Sequence, residues 1–159
     1  MDIRPIAAKD REPLAALIRK IETFSPQEVE VAIELVGTAL TPGNTDYSII
    51  VADRGGQLVG YVCYGPTPMT EDTYDLYWIA SAPEVRGQGV GAALVSAMEG
   101  DLRRRNGRLI RVETSATEAY GPTRGFYASM KYGEEARIRD FYKVGDDLII
   151  LTKRLQTGG

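Results

Sequence analysis

The segment Arg86-Gly87-Gln88-Gly89-Val90-Gly91 restricts the fold of this chain more than any other stretch. Its glycines stand between a β-branched and aromatic run, Thr73–Ser81, and an apolar stripe at helical spacing, Leu94, Val95, Met98 and Leu102. A strand, a glycine loop and a helix in that order let backbone N–H groups approach a ligand closely. The helix start adds its dipole and its unpaired donors, which makes an anion site suited to a pyrophosphate. Arg86 adds a permanent, planar cation beside it. A purely structural glycine loop is the bland alternative.

The remaining elements follow from periodicity. Leu14, Leu17, Ile18 and Ile21 mark an amphipathic helix over about residues 9–22. Ser25-Pro26-Gln27-Glu28 reads as a capping box with proline at the first helical position. It opens a second helix that Thr41-Pro42-Gly43-Asn44 ends. Tyr47–Ala52 and Leu58–Tyr64 read as strands joined by the hairpin turn Arg54-Gly55-Gly56-Gln57, with Gly65-Pro66-Thr67-Pro68 breaking the second. After the glycine loop come a helix from Ala92 to about Arg105, a strand Leu109–Thr114 and a short helix over about Thr123–Met130. Two closing strands, about Ala136–Tyr142 and Leu148–Lys153, turn at Gly145-Asp146-Asp147. The order ααβββαβαββ predicts an α/β protein with one mixed sheet and helices on its faces. Residues 1–155 are expected to form a single domain, with Gln156–Gly159 as a loose tail.

Composition removes whole classes of chemistry. The chain has no histidine, which excludes a Ser-His-Asp triad, a Cys-His pair and an HExxH zinc site. Its single cysteine, Cys63, excludes an internal disulfide and a CxxC pair, and no metal site is expected. Cys63 lies mid-strand among apolar residues and is expected to be a buried, inert thiol. With 19 Lys and Arg against 22 Asp and Glu, the net charge of −3 speaks against a nucleic-acid coat. No apolar run exceeds five residues, whereas a membrane span needs about 20. Met1–Asp10 has no apolar core for a signal peptide, so a cytoplasmic location is expected.

The glycines are open to other readings. GxxxxGK[ST] is missing, so this is not a P-loop. Gly87-Gln88-Gly89-Val90-Gly91-Ala92 does fit GxGxxA, with Glu113 on the next strand as a ribose-binding acid. Against a nicotinamide-binding fold, five residues separate strand and first glycine, and only 46 residues follow Glu113.

The stretch from Ile79 to Gly91 resembles the acetyl-CoA motif of the GCN5-related N-acetyltransferases. Its pattern [Q/R]xxGx[G/A] is met by Arg86, Gly89 and Gly91, and Phe126-Tyr127-Ala128-Ser129-Met130-Lys131-Tyr132 is similar to the family's LYxxxGF helix. The resemblance implies a mostly antiparallel sheet whose parallel strands, 73–81 and 109–114, splay apart to admit acetyl-CoA. It implies that the pantetheine arm pairs with backbone at Ile79 and Ser81. The pyrophosphate would rest on Arg86, Gly87, Gln88, Gly89, Val90 and Gly91. A backbone N–H near Ile79 would face the thioester carbonyl. An amine then attacks directly, which agrees with the missing triad. Tyr127 matches the tyrosine that protonates the departing thiolate; on its own it reads as a core tyrosine beside Phe126.

The expected proton acceptor is Asp75, which alternation places on one strand face with Tyr77, Ile79 and Ser81, or Glu113, each directly or through water, with a tyrosine as a further alternative. This sequence departs from the family pattern in three places. Tyr120 replaces an asparagine that reaches the cofactor, Lys131 replaces the glycine of LYxxxGF, and Ser81 replaces a valine. Arg103-Arg104-Arg105 reads as a solvated helix end, with the 3′-phosphate of CoA as an alternative contact. The expected activity is acetyl transfer from acetyl-CoA to a primary amine of a small molecule or peptide. An acyl-CoA-binding sensor without acceptor chemistry is the second class and an NAD(P)-binding protein the third. No nucleic-acid or membrane partner is expected, and the chain is read as a monomer or a homodimer.

Overall fold

Seven strands form one sheet in the order β1-β2-β3-β4-β5-β7-β6 in a computed structural model that describes residues 1–155. The loose tail expected at 156–159 lies outside the described residues. The strands are β1 (Asp2–Pro5), β2 (Ser48–Arg54), β3 (Gln57–Pro66), β4 (Thr73–Ser81), β5 (Leu109–Ser115), β6 (Gly133–Lys143) and β7 (Asp146–Arg154). All neighbours are antiparallel except β4 and β5. This is the mixed α/β architecture expected from the order of elements. A doubly wound parallel sheet is excluded, and the nicotinamide reading with it.

The sequence reading missed β1. Asp2-Ile3-Arg4-Pro5 is short, carries two charges and has no turn signal before it, yet it pairs with Ile50–Asp53 of β2. Arg4 holds it in place by donating to Asp10 at 2.7 Å and to Asp53 at 3.0 Å. The first helix is also shorter than its apolar spacing suggested. A 3-10 turn at Ala8–Asp10 precedes α1 (Arg11–Arg19), and Ile21 stays buried beyond the helix end.

Helix α2 (Pro26–Ala39) begins as expected: Ser25 N donates to Glu28 Oε1 at 3.0 Å, and Glu28 N donates to Ser25 Oγ at 3.1 Å. Helix α3 (Val90–Arg104) buries Leu94, Val95, Met98 and Leu102 completely against one sheet face. Gly60 of β3 marks that face, since a Cβ there would strike Val90 and Leu94. The α1–α2 connection packs on the other face, where the Phe24 ring meets Trp78 of β4 edge-on at 5.1 Å. Helix α4 (Gly121–Ser129) lies beside the start of α3, with Phe126 against Gly91. Among the described residues, no helix is long and apolar enough to cross a membrane.

Candidate active site

The parallel pair makes the site. β4 and β5 are in register only at Thr73–Leu109, Tyr74–Ile110 and Asp75–Arg111, and beyond these the strands part. β4 stays bonded to β3 past the split, since Ala82 N donates to Val59 O at 2.8 Å. Counting back by two, Ala80 and Trp78 also turn their peptide groups toward β3. The N–H and C=O groups of Ile79 and Ser81 therefore point into the gap, as an edge strand does when it has a free side.

The glycine loop lies at one end of this gap. A 3-10 turn at Pro83–Val85 leads into Gly87 (φ +77°) and Gly89 (φ +83°), a backbone only glycine adopts without strain. Arg86 N donates to Pro83 O at 3.3 Å and Gln88 N to Val85 O at 3.2 Å. Both donors are therefore used, so of the N–H groups from Arg86 to Gly91 expected to hold a pyrophosphate, those of Arg86 and Gln88 are already committed. The N–H groups of Gly87, Gly89, Val90, Gly91 and Ala92 have no partner among the described residues. The Gln88 side chain accepts from Arg54 Nη1 at 3.0 Å, so it ties the loop to the β2–β3 turn. The Arg86 side chain is exposed and forms no ion pair among the described residues. Gly91 has a second use: a Cβ there would press on Phe126 at 3.3 Å, so the glycine lets α4 close on α3.

A cleft of about 840 Å³ occupies the gap. Tyr127 of α4 and Phe24 and Glu28 from the opposite face all line it, so the opening passes through the sheet. Tyr127 is 3% exposed, its hydroxyl has no hydrogen-bond partner among the described residues, and burial raises the phenol above its ordinary pKa. Its ring packs edge-on against Phe126 at 5.3 Å and Tyr132 at 5.5 Å. Tyr132 in turn donates to buried Glu99 of α3 at 2.8 Å, and Lys153 of β7 donates to Glu99 at 2.9 Å. The α4 end thus rests on a buried, fully paired ionic cluster. None of its three polar members stood out in the sequence, because they come from three distant elements.

Both candidate proton acceptors line the cleft, in different states. Asp75 is buried and accepts from Arg111 Nε at 2.7 Å, from Thr67 Oγ1 at 2.8 Å and more distantly from the Tyr77 hydroxyl at 3.5 Å. The hydrogen bond that Arg111 donates to Asp75, opposed in part by burial, raises the Arg111 pKa. Glu113 is exposed to the cleft and has no ion pair among the described residues.

Simple alternation along β4 does not hold. Cys63 pairs with Trp78 and Tyr64 with Leu76, so Tyr77 is an extra residue that reverses the side-chain phase. Leu76 lies on the α3 face with Tyr64, whose hydroxyl reaches Asp101 at 2.6 Å, while Trp78 lies on the opposite face against Phe24. Asp75 therefore shares its face with Trp78, and Ile79 and Ser81 take the α3 face. Tyr120, the candidate cofactor contact, ends a 3-10 turn after β5 and is exposed at the cleft. Tyr142 and Asp146, from the β6–β7 hairpin, also line the cleft and were missed, because a hairpin edge carries no local sign of its neighbour.

Arg103–Arg105 lies at the far end of α3, about 20 Å from Gly89 by helix rise. These arginines pair with Glu99 and Asp101 on their own helix, as a solvated helix end does. Cys63 is fully buried, and burial pushes its thiol up to about 12.

Residues 15–132 match the family described as the acetyltransferase (GNAT) family. A crystal structure from Desulfovibrio desulfuricans, described as an acetyltransferase of the GNAT family, is 39% identical with a TM-score of 0.92, over 97% of this chain and 98% of that one. The Escherichia coli ribosomal-protein-S18-alanine N-acetyltransferase shares the fold at 20% identity and a TM-score of 0.77, over 99% of this chain and 96% of its own. So does an aminoglycoside 6′-N-acetyltransferase complexed with coenzyme A, at 17% identity and 0.79, over 100% and 99%. No curated protein matches the sequence.

Proposed function

Because this chain belongs to the GNAT family of acetyltransferases, we propose that it moves an acetyl group directly from acetyl-CoA to a primary amine of a small molecule or peptide. Residues 1–155 are taken as one N-acetyltransferase domain. The observation that carries this reading is the gap between β4 and β5, which leaves the main chain of Ile79 and Ser81 unpaired beside five unpaired N–H groups. The residues present suit the cosubstrate. An extended amide-bearing arm adds to β4 as a strand at Ile79 and Ser81. A pyrophosphate accepts from the N–H groups of Gly87, Gly89, Val90 and Gly91 at the start of α3, with Arg86 supplying charge.

Acetyl-CoA, when bound, supplies an activated acetyl carbonyl. The amine nitrogen bonds to the acetyl carbon and the carbon–sulfur bond breaks. The thiolate takes the Tyr127 proton, and the ammonium proton leaves to Glu113 or through water. No protein nucleophile takes part, in keeping with a chain that has no histidine. Ile79 N–H serves as the oxyanion donor. Tyr127 suits the acid role: its burial keeps it protonated, and its hydroxyl is free to donate. Between the two carboxylates, Glu113 is the base. Asp75 already accepts from three donors, so its oxygens are occupied, whereas those of Glu113 are free to meet an amine.

Two measurements test this reading. CoA should raise the melting temperature while NAD(P) leaves it unchanged. With acetyl-CoA and a panel of amines, free thiol should accumulate. CoA binding with no thiol release from any amine would leave a sensor module in place of an enzyme.

A further inference from the structure

The cleft around Tyr127 has a charge pattern that a simple amine does not satisfy. Four carboxylates line it, those of Glu28, Asp75, Glu113 and Asp146, and the one cation among its lining residues is Arg111. Arg111 is committed to Asp75. The other three carboxylates have no cationic partner among the described residues: Glu28 caps α2, Asp146 accepts from Ser115 Oγ at 2.5 Å, and Glu113 is free. They come from three separate elements, so they are not one solvated acidic run.

A second observation marks the same space as built to be filled. The Tyr127 side chain is buried, its hydroxyl has no partner among the described residues, and it lines this cleft. Aromatic rings of Phe24, Trp78 and Tyr142 complete the wall. Tyr142 is held in its protonated form by partial burial and then by the negative charge of Glu113 and Asp146 nearby. Carboxylates among aromatic faces are the surroundings that attract organic cations.

We propose that the acceptor carries at least one further cationic group beside the amine that reacts, as a linear di- or polyamine does, and that Asp146 binds that second cation while Glu113 serves the reacting nitrogen. This rests on the acetyl-transfer reading above. A monoamine loses its only charge as it reacts, so it leaves Asp146 unmatched in the product complex. A diamine keeps one charge throughout the reaction, and this charge also places the reacting nitrogen.

The test compares butylamine, 1,4-diaminobutane and a linear triamine of similar spacing as acceptors, followed by thiol release at fixed acetyl-CoA. The wild-type protein should favour the diamine or triamine over butylamine by at least tenfold in kcat/KM, and that preference should shrink as salt is raised. In Asp146→Asn the ratio of diamine to monoamine should fall toward one, whereas Glu113→Gln should lower both rates and leave the ratio in place. The ratio isolates cation recognition, because a lost base or a lost fold lowers both rates alike. Equal or better use of butylamine by the wild type would overturn this inference and leave the transferase reading standing. A preference for diamines that Asp146→Asn leaves unchanged would also overturn the assignment to this carboxylate. Failure of every amine, with CoA still bound, would remove the acetyl-transfer reading and this one together.

Discussion

Arg111 Nε donates a 2.7 Å hydrogen bond to Asp75 Oδ1, and the same two residues are the last register partners of β4 and β5. The ion pair therefore closes the sheet at the point where the two strands begin to part. One partner is buried and the other is about one-third exposed. An exposed pair contributes under about 1 kcal/mol, and breaking a buried one costs about 3–5 kcal/mol. Asp75→Asn should accordingly destabilise the fold by about 2 kcal/mol and weaken CoA binding, because the vertex of the gap loosens. Urea unfolding and a CoA titration check this. Unchanged stability with a large loss of kcat would instead make Asp75 the base and displace Glu113 from that role.

Lys131 stands where the family pattern has glycine, and its φ is +73°. The left-handed region costs a residue with a Cβ about 1–2 kcal/mol. The strain is tolerated because the chain must reverse there: Tyr132 N donates back to Tyr127 O at 3.0 Å, and the Tyr132 hydroxyl must reach Glu99. Lys131→Gly should raise stability by about 0.5–1 kcal/mol, read as a higher melting temperature with kcat unchanged. A lower melting temperature would mean that the Lys131 side chain contributes more than its backbone loses.

Asp10 sets the acid limit of the N-terminal strand. The hydrogen bond from Arg4 holds its carboxyl below the usual range, opposed by burial and helped by the Ala7 N–H. A carboxyl depressed on folding contributes stability above its unfolded pKa of about 4, and that stability is lost as pH falls through the folded value. Asp10→Asn should therefore be clearly less stable than the wild type at pH 7. The difference should narrow steadily below about pH 4. A difference independent of pH would show that packing, rather than charge, ties β1 down.

Most of the scaffold could be read from periodicity because its elements bury one clean face each. Leu94, Val95, Met98 and Leu102 specify α3, and Ser25 with Glu28 specifies the start of α2. Strand β1 was hidden because four residues with two charges carry no period, and its pairing partner lies almost fifty residues away. The phase of β4 was misread at Tyr77, since an extra residue in one strand is visible only against its neighbour. The glycine loop was legible because its geometry is local. The cleft lining was not: Glu28, Tyr142 and Asp146 meet Tyr127 through tertiary packing alone.

Tyr127→Phe keeps the ring, its packing on Phe126 and Tyr132, and the shape of the cleft, and removes only the hydroxyl. Paired measurements of kcat by thiol release and of the CoA dissociation constant by titration should separate chemistry from binding. General acid catalysis contributes about 10²–10⁴-fold, so kcat should fall by about a hundredfold while CoA affinity stays within about twofold. In the wild type, the buried phenol should remain an acid past pH 10, where an ordinary tyrosine is about half ionised, and no alkaline loss should arise from it there. An unchanged kcat in Tyr127→Phe would contradict the assignment of this residue as the acid and, with it, the proposed route of the transferred proton.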